Sequence, residues 1–154
     1  LGKLWKTFDG GENWADLNKG FRSIIVKAAE RERFENPFSL FQSGRGNAIE
    51  QILPDQNVFS TLYLGSRTGL LRSTNGGFSW SEVNTLIPPK ALPVSAVLRH
   101  PHRSLTLFAA ASNQIHRSDD GGEHWSVSVI DTPLGISRLI IDRDDPKIMF
   151  ALVK

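Results

Sequence analysis

Three nonapeptides constrain this chain more than any other feature: "KTFDGGENW" from Lys6 to Trp14, "RSTNGGFSW" from Arg72 to Trp80 and "RSDDGGEHW" from Arg117 to Trp125. At average residue usage their shared core, Ser/Thr-x-Asp/Asn-Gly-Gly-x-x-Trp, should arise by chance about once per million positions. Three copies therefore make an internal repeat, and a repeat dictates architecture before any single element is assigned. The residue types fit a tight hairpin. Paired glycines, including Gly11, Gly77 and Gly122, supply the positive φ angles that such turns need. The side chains of Asp9, Asn75 and Asp120 can accept hydrogen bonds from amides across the turn, and so can the hydroxyls of Thr7, Ser73 and Ser118. Trp14, Trp80 and Trp125 are then expected to cover their hairpins and pack between neighbouring sheets.

The repeat extends upstream. "STLYLGS", "LTLFAAAS" and "KIMFALVK" place Tyr63, Phe108 and Phe150 in one register, with Ile49, Val94 and Ile136 each fourteen residues earlier. Spacings of 45 residues from Tyr63 to Phe108 and 42 from Phe108 to Phe150 suit a unit of four short strands, the size of a propeller blade. The expected fold is all-β, about three four-stranded antiparallel blades with one split between the termini, an incomplete ring in a single chain. Residues 1–14 would end a blade, 49–93 and 94–135 would be whole blades, and 136–154 would begin another. Residues 15–48 break the period as an insertion or irregular stretch. Within it "RSIIVKAAERERF" (22–34) reads as a short helix and "NPFSLFQSGRGN" (36–47) as loop.

The nonapeptides resemble the Asp-box, or BNR repeat, of β-propellers in sialidases, xyloglucanase-type glycoside hydrolases, sortilin-type receptors and photosystem II assembly and stability factors. The resemblance implies a hairpin between the third and fourth strands of a blade, away from the active face, and favours an extracytoplasmic setting: periplasmic, secreted or lumenal. Asn75 departs from the usual Asp, and Asn13 and His124 from the usual small hydroxyl before Trp. Each departure is expected to weaken one hydrogen bond.

Three blades are too few for a ring, which normally has four to eight, and half-blades leave unpaired strand edges that invite association. The expected partner is accordingly the rest of a longer propeller or another protein, with two copies forming a six-bladed ring as the competing arrangement. The start at Leu1, without Met or signal peptide, fits a piece of a longer sequence.

Composition narrows the remaining classes. The 154 residues carry a net charge of +2 with both signs interspersed, and no basic block interleaves with aromatics, so nucleic acid is not expected. No run of about eighteen apolar residues exists to span a membrane as a helix. The absence of Cys removes disulfides, thiolate metal sites and a thiol nucleophile.

For catalysis the repeat is restrictive. The only tyrosine, Tyr63, shares its register with two phenylalanines, which makes it a core position and removes the sialidase nucleophile. Glycosidases otherwise need two carboxylates at a set separation. The frame assigns Asp9 and Asp120 to hairpins, and Asp55 and Asp142 to the turn where His100 also falls. "SDDGGEH" lacks calcium-loop spacing, and His100 and His102 lack a third ligand; no metal or cofactor is expected. Specific contacts are expected where the units differ at the start of each first strand: Glu50/Gln51, Ser95/Ala96 and Ser137/Arg138. Glu50 would face the central channel, and Arg99, Arg138 and Arg45 would form a basic rim. The implied function is a non-catalytic binding or assembly scaffold. The alternative is part of a glycoside hydrolase, binding carbohydrate, with its catalytic residues largely outside this segment.

Overall fold

The computed structural model describes residues 4–17, 49–55 and 58–154; the helix expected over 22–34, the loop over 36–47 and Arg45 lie outside the described residues. Among the described residues, twelve strands form four antiparallel sheets. Strands β1 (Trp5–Lys6) and β2 (Ala15–Asp16) make the first. The second holds β3 (Ile49–Pro54), β4 (Leu62–Ser66), β5 (Gly69–Ser73) and β6 (Ser81–Glu82) in sequential order. The third repeats it with β7 (Val94–Arg99), β8 (Leu107–Ala111), β9 (Gln114–Ser118) and β10 (Ser126–Val129). Strands β11 (Ile136–Ile141) and β12 (Met149–Val153) make the fourth. A 3-10 turn, Pro89–Ala91, precedes β7.

Alternation along the strands turns one row of side chains to each neighbouring sheet. Tyr63 and Leu70 meet Val94, Val97, Leu107 and Ala109 between the second and third sheets. On the other face of the third sheet, Ala96, Leu98, Phe108 and Ala110 meet Ile136 and Leu139 of the fourth. Leu64, Leu71 and Trp80 turn the opposite way, with Leu4 packed against them. Full burial of one such aliphatic or aromatic side chain contributes about 1.5–3 kcal/mol. The sheets approach closely at Gly65, where an added Cβ would lie 2.6 Å from the Val94 carbonyl oxygen.

The repeat register is regular. Tyr63 lies between Leu53 and Arg72, and Phe108 between Leu98 and Arg117; Phe150 pairs with Ile140. Burial departs from the expected equivalence. Tyr63 and Phe108 are core residues, whereas Phe150 is 59% exposed, because among the described residues no third strand lies beside β12 and no sheet covers that face. The turn between the first two strands of each unit also recurs, with the amides of Asp55, His100 and Asp142 donating to the carbonyls of Thr61, Thr106 and Ile148.

Candidate binding site at the head of the inner strands

The three hairpins repeat one bonding pattern. Gly11, Gly77 and Gly122 each donate their amide to the hydroxyl of Thr7, Ser73 or Ser118 at 2.8 Å. Those hydroxyls donate in turn to Asp9, Asn75 and Asp120 at 2.8–3.0 Å. The same side-chain oxygens accept the amides of Asn13, Ser79 and His124 at 2.9–3.0 Å. Each indole N–H of Trp14, Trp80 and Trp125 closes the turn onto the carbonyl of Gly11, Gly77 or Gly122 at 3.0 Å. Gly10 and Gly11 have φ of 74° and 106°, and the corresponding pairs in the other hairpins repeat this within a few degrees to about ten. A side chain would be strained there.

Two expectations about these hairpins need correction. The residue before Trp does not lose a bond: Asn13 donates its side-chain amide to Asp9 at 2.7 Å, and the His124 ring nitrogen meets Asp120 at 2.6 Å. Where the acid is replaced, the polarity reverses, and the Asn75 amide donates to the Ser79 hydroxyl at 2.7 Å. Nor does every tryptophan pack between sheets. Trp80 is buried, Trp125 is half-buried, and Trp14 is 58% exposed.

These bonds occupy the acidic groups. The backbone amide and side chain of Asn13, with the Thr7 hydroxyl, hold the Asp9 carboxyl down to about 2. Asp120 is held lower still, chiefly by the His124 amide and then by Ser118. Asp142 accepts the amides of Asp144 and Asp145 and is lowered by them. Asp119 is bound to Arg117 and Thr106. The ligand atoms of Asp120, Glu123 and His124 lie within 4.8 Å of one another, but both Asp120 oxygens already accept hydrogen bonds from His124.

The basic rim is also corrected. Arg99 is largely buried and forms an ion pair with Asp55, its guanidinium 5.9 Å from the centre of the Tyr63 ring. It stands at the far end of β7 from Ser95, so the structure does not bring it to Glu50. Arg138 is exposed on β11. The His100 and His102 rings lie 6.2 Å apart edge to face, and His102 bonds the Arg143 carbonyl. Sequence reasoning missed the Arg99–Asp55 pair, although a charge where the other units carry Pro54 and Ile141 was a readable signal. It also missed His116, a fully buried imidazole in the slot of Leu71 and Trp5 with no hydrogen-bond partner on either nitrogen. Burial lowers its pKa.

The residues expected to vary do converge. The first strand of each unit carries a β-bulge at the same place: the pairing skips Glu50 between Ile49 and Gln51, Ser95 between Val94 and Ala96, and Ser137 between Ile136 and Arg138. A bulge bends its strand and re-aims one side chain. Ser95 donates to the Ala110 carbonyl at 3.3 Å and to the Ile136 carbonyl of the next first strand at 2.5 Å, and Ser137 donates to the Leu152 carbonyl at 3.1 Å. Glu50, Ser95 and Ser137 line a cavity of about 420 Å³ together with Lys90, from outside the repeat frame, and Lys154, in the slot of Ser112.

Neither a family model nor a curated protein sequence matches this chain. Solved structures do. A GH74 enzyme from Niastella koreensis aligns with TM-score 0.59 and 23% identity over 68% of this chain and 17% of its own, and an ancestral GH74 enzyme with TM-score 0.57 and 16% identity over 67% and 16%. The chain thus spans about one sixth of the length of either enzyme. Both are β-propellers, and the likeness is one of fold: the four sheets are propeller blades, two complete and two half-built among the described residues. No described helix is long and apolar enough to cross a membrane.

Proposed function

We propose that the chain is a segment of an Asp-box propeller acting as a binding or assembly scaffold rather than a catalyst. Residues 1–14 close one blade together with β2, which the 15–48 boundary places in the insertion or irregular stretch that follows; 49–93 and 94–135 are whole blades, and 136–154 open a further one. Thr7, Asp9, Gly11 and Trp14, with their counterparts in the other hairpins, serve as clasps, and Glu50 with Arg138 serves contact at the inner strands. The observation that carries this reading is that Glu50 supplies the single side-chain carboxylate among the described residues lining the cavity. Hydrolysis of a glycosidic bond would need a second, opposed acid. The partner is the rest of a longer propeller or another protein, in the extracytoplasmic setting that the Asp-box resemblance favours. Self-pairing into a six-bladed ring would give a solution mass of about 34 kDa, twice the 17.1 kDa of one chain.

The second reading, part of a glycoside hydrolase with its catalytic residues largely outside this segment, draws support from the two GH74 neighbours. Assay of the full-length protein that carries this segment against a panel of β-glucans, xyloglucan and sialosides separates the two. The scaffold reading expects no release of reducing ends. Turnover that disappears in Glu50→Gln would replace it with the hydrolase.

A further inference from the structure

Glu50 occupies a slot for which the frame has another use. In the other two units the bulged residue is a serine whose hydroxyl ties the head of the inner strand to backbone carbonyls. A carboxylate cannot donate to those carbonyls, so Glu50 leaves that tie unmade and stands exposed in the lining of the cavity. Lys90 is held there by the 3-10 turn, where the Ala91 amide donates to the Pro88 carbonyl. Lys154 lines the same cavity, its backbone amide donating to the Gly135 carbonyl. None of the three charged groups has an ion-pair partner among the described residues. Three exposed charged residues, one with a side-chain carboxylate and two with ammonium groups, thus line a shared cavity that exceeds the volume of a small polar metabolite.

We propose that this cavity binds an acidic α-amino acid group, one ammonium and two carboxylates, with Glu50 taking the ammonium and Lys90 and Lys154 taking one carboxylate each. Each of these three side-chain charges then meets one opposite charge, and the hydrogen bonds formed are of the stronger, charge-assisted kind. A monocarboxylic amino acid would leave a lysine unmatched, and a dicarboxylate without the ammonium would set its charge against Glu50. The group can come from the free amino acid or from the amino-terminal residues of an acidic peptide. The site stands under either reading of the function, and its failure would leave the glycan assay unaffected.

Titration calorimetry at low salt tests it with four probes: glutamate, glutamine, glutarate and the dipeptide amide Glu-Glu-NH2. Glutamate should bind at least about tenfold more tightly than glutamine and glutarate. A dipeptide preferred over glutamate identifies the peptide as the source, and the reverse identifies the free amino acid. Glu50→Ser, which installs the residue of the other two units, should abolish the preference of glutamate over glutarate without lowering the melting temperature. Lys90→Met and Lys154→Met should each abolish the preference over glutamine. Binding of glutamate no tighter than of glutamine or glutarate, absence of heat with every probe, or unchanged discrimination in Glu50→Ser would overturn the proposal.

Discussion

The hairpins at 7–14 and 73–80 share their bonds and differ in their surroundings. Gly amide to hydroxyl, acid or amide to amide, and indole to Gly carbonyl match to within about 0.2 Å in both. Yet Trp80 lies in a core cluster with Leu64 and Leu71, while Trp14 is 58% exposed. The clasp is therefore a local product of nine residues, set by glycine torsions and short polar side chains. Its contribution to stability depends on what the next sheet places over the indole.

The largest test of that separation is the pair Trp80→Ala and Trp14→Ala. Loss of the buried indole should cost about 3–5 kcal/mol, and loss of the exposed one no more than about 0.5 kcal/mol. Urea denaturation followed by circular dichroism measures both, and equal losses would break the comparison. Next comes the hydroxyl. Ser73→Ala leaves the buried Gly77 amide without its acceptor, which should cost about 1–3 kcal/mol. Thr7→Ala in the exposed hairpin should give a clearly smaller shift in melting temperature.

A smaller effect is expected at the slot shared by Trp5, Leu71 and His116. His116→Leu removes two unpartnered buried nitrogens and should stabilise the chain by about 1 kcal/mol at neutral pH. Because the folded pKa of His116 lies below the 6.5 of a free imidazole, its neutral form is favoured in the folded state. Its contribution is complete above pH about 6.5 and is lost as pH falls through the folded value. The native chain should weaken on acidification from there, and the Leu variant should lack that step. Equal slopes of stability against pH in the two proteins would count against this.

The smallest effect is local. The Asp9 carboxyl, lowered from 3.8 to about 2, stabilises its turn above the higher value and ceases to do so as pH falls through the lower one. Amide shifts of Gly11 and Asn13 should titrate with a midpoint near 2, while those of Gly77 and Ser79 should follow no such group, since Asn75 does not ionise. Parallel titration in both hairpins would show that the Asn75 clasp is not the uncharged equivalent drawn here.

The same contrast explains what was legible in the sequence. Strand register and hairpin chemistry could be read because they recur and depend on residues close in the chain. Burial of Phe150 and Trp14 could not, since it depends on which sheet stands next to them. Glu50, Ser95 and Ser137 were visible as variable residues in a fixed frame. Lys90, which lines the cavity with them, lies on a connection the repeat does not index, and Lys154 stands in the slot of Arg67 and Ser112, where nothing in the sequence pointed to its neighbours. Arg99 looked like a surface contact residue because nothing within its own strand reveals that Asp55, 44 residues earlier, comes to meet it.

Hydrogen exchange at the Gly11, Gly77 and Gly122 amides and at the indole N–H groups of Trp14, Trp80 and Trp125 tests the clasp account most directly. It predicts protection at all six positions relative to the exposed amide of Phe59, strongest at Gly77 and Trp80. Exchange at open-chain rates in all three hairpins would contradict it.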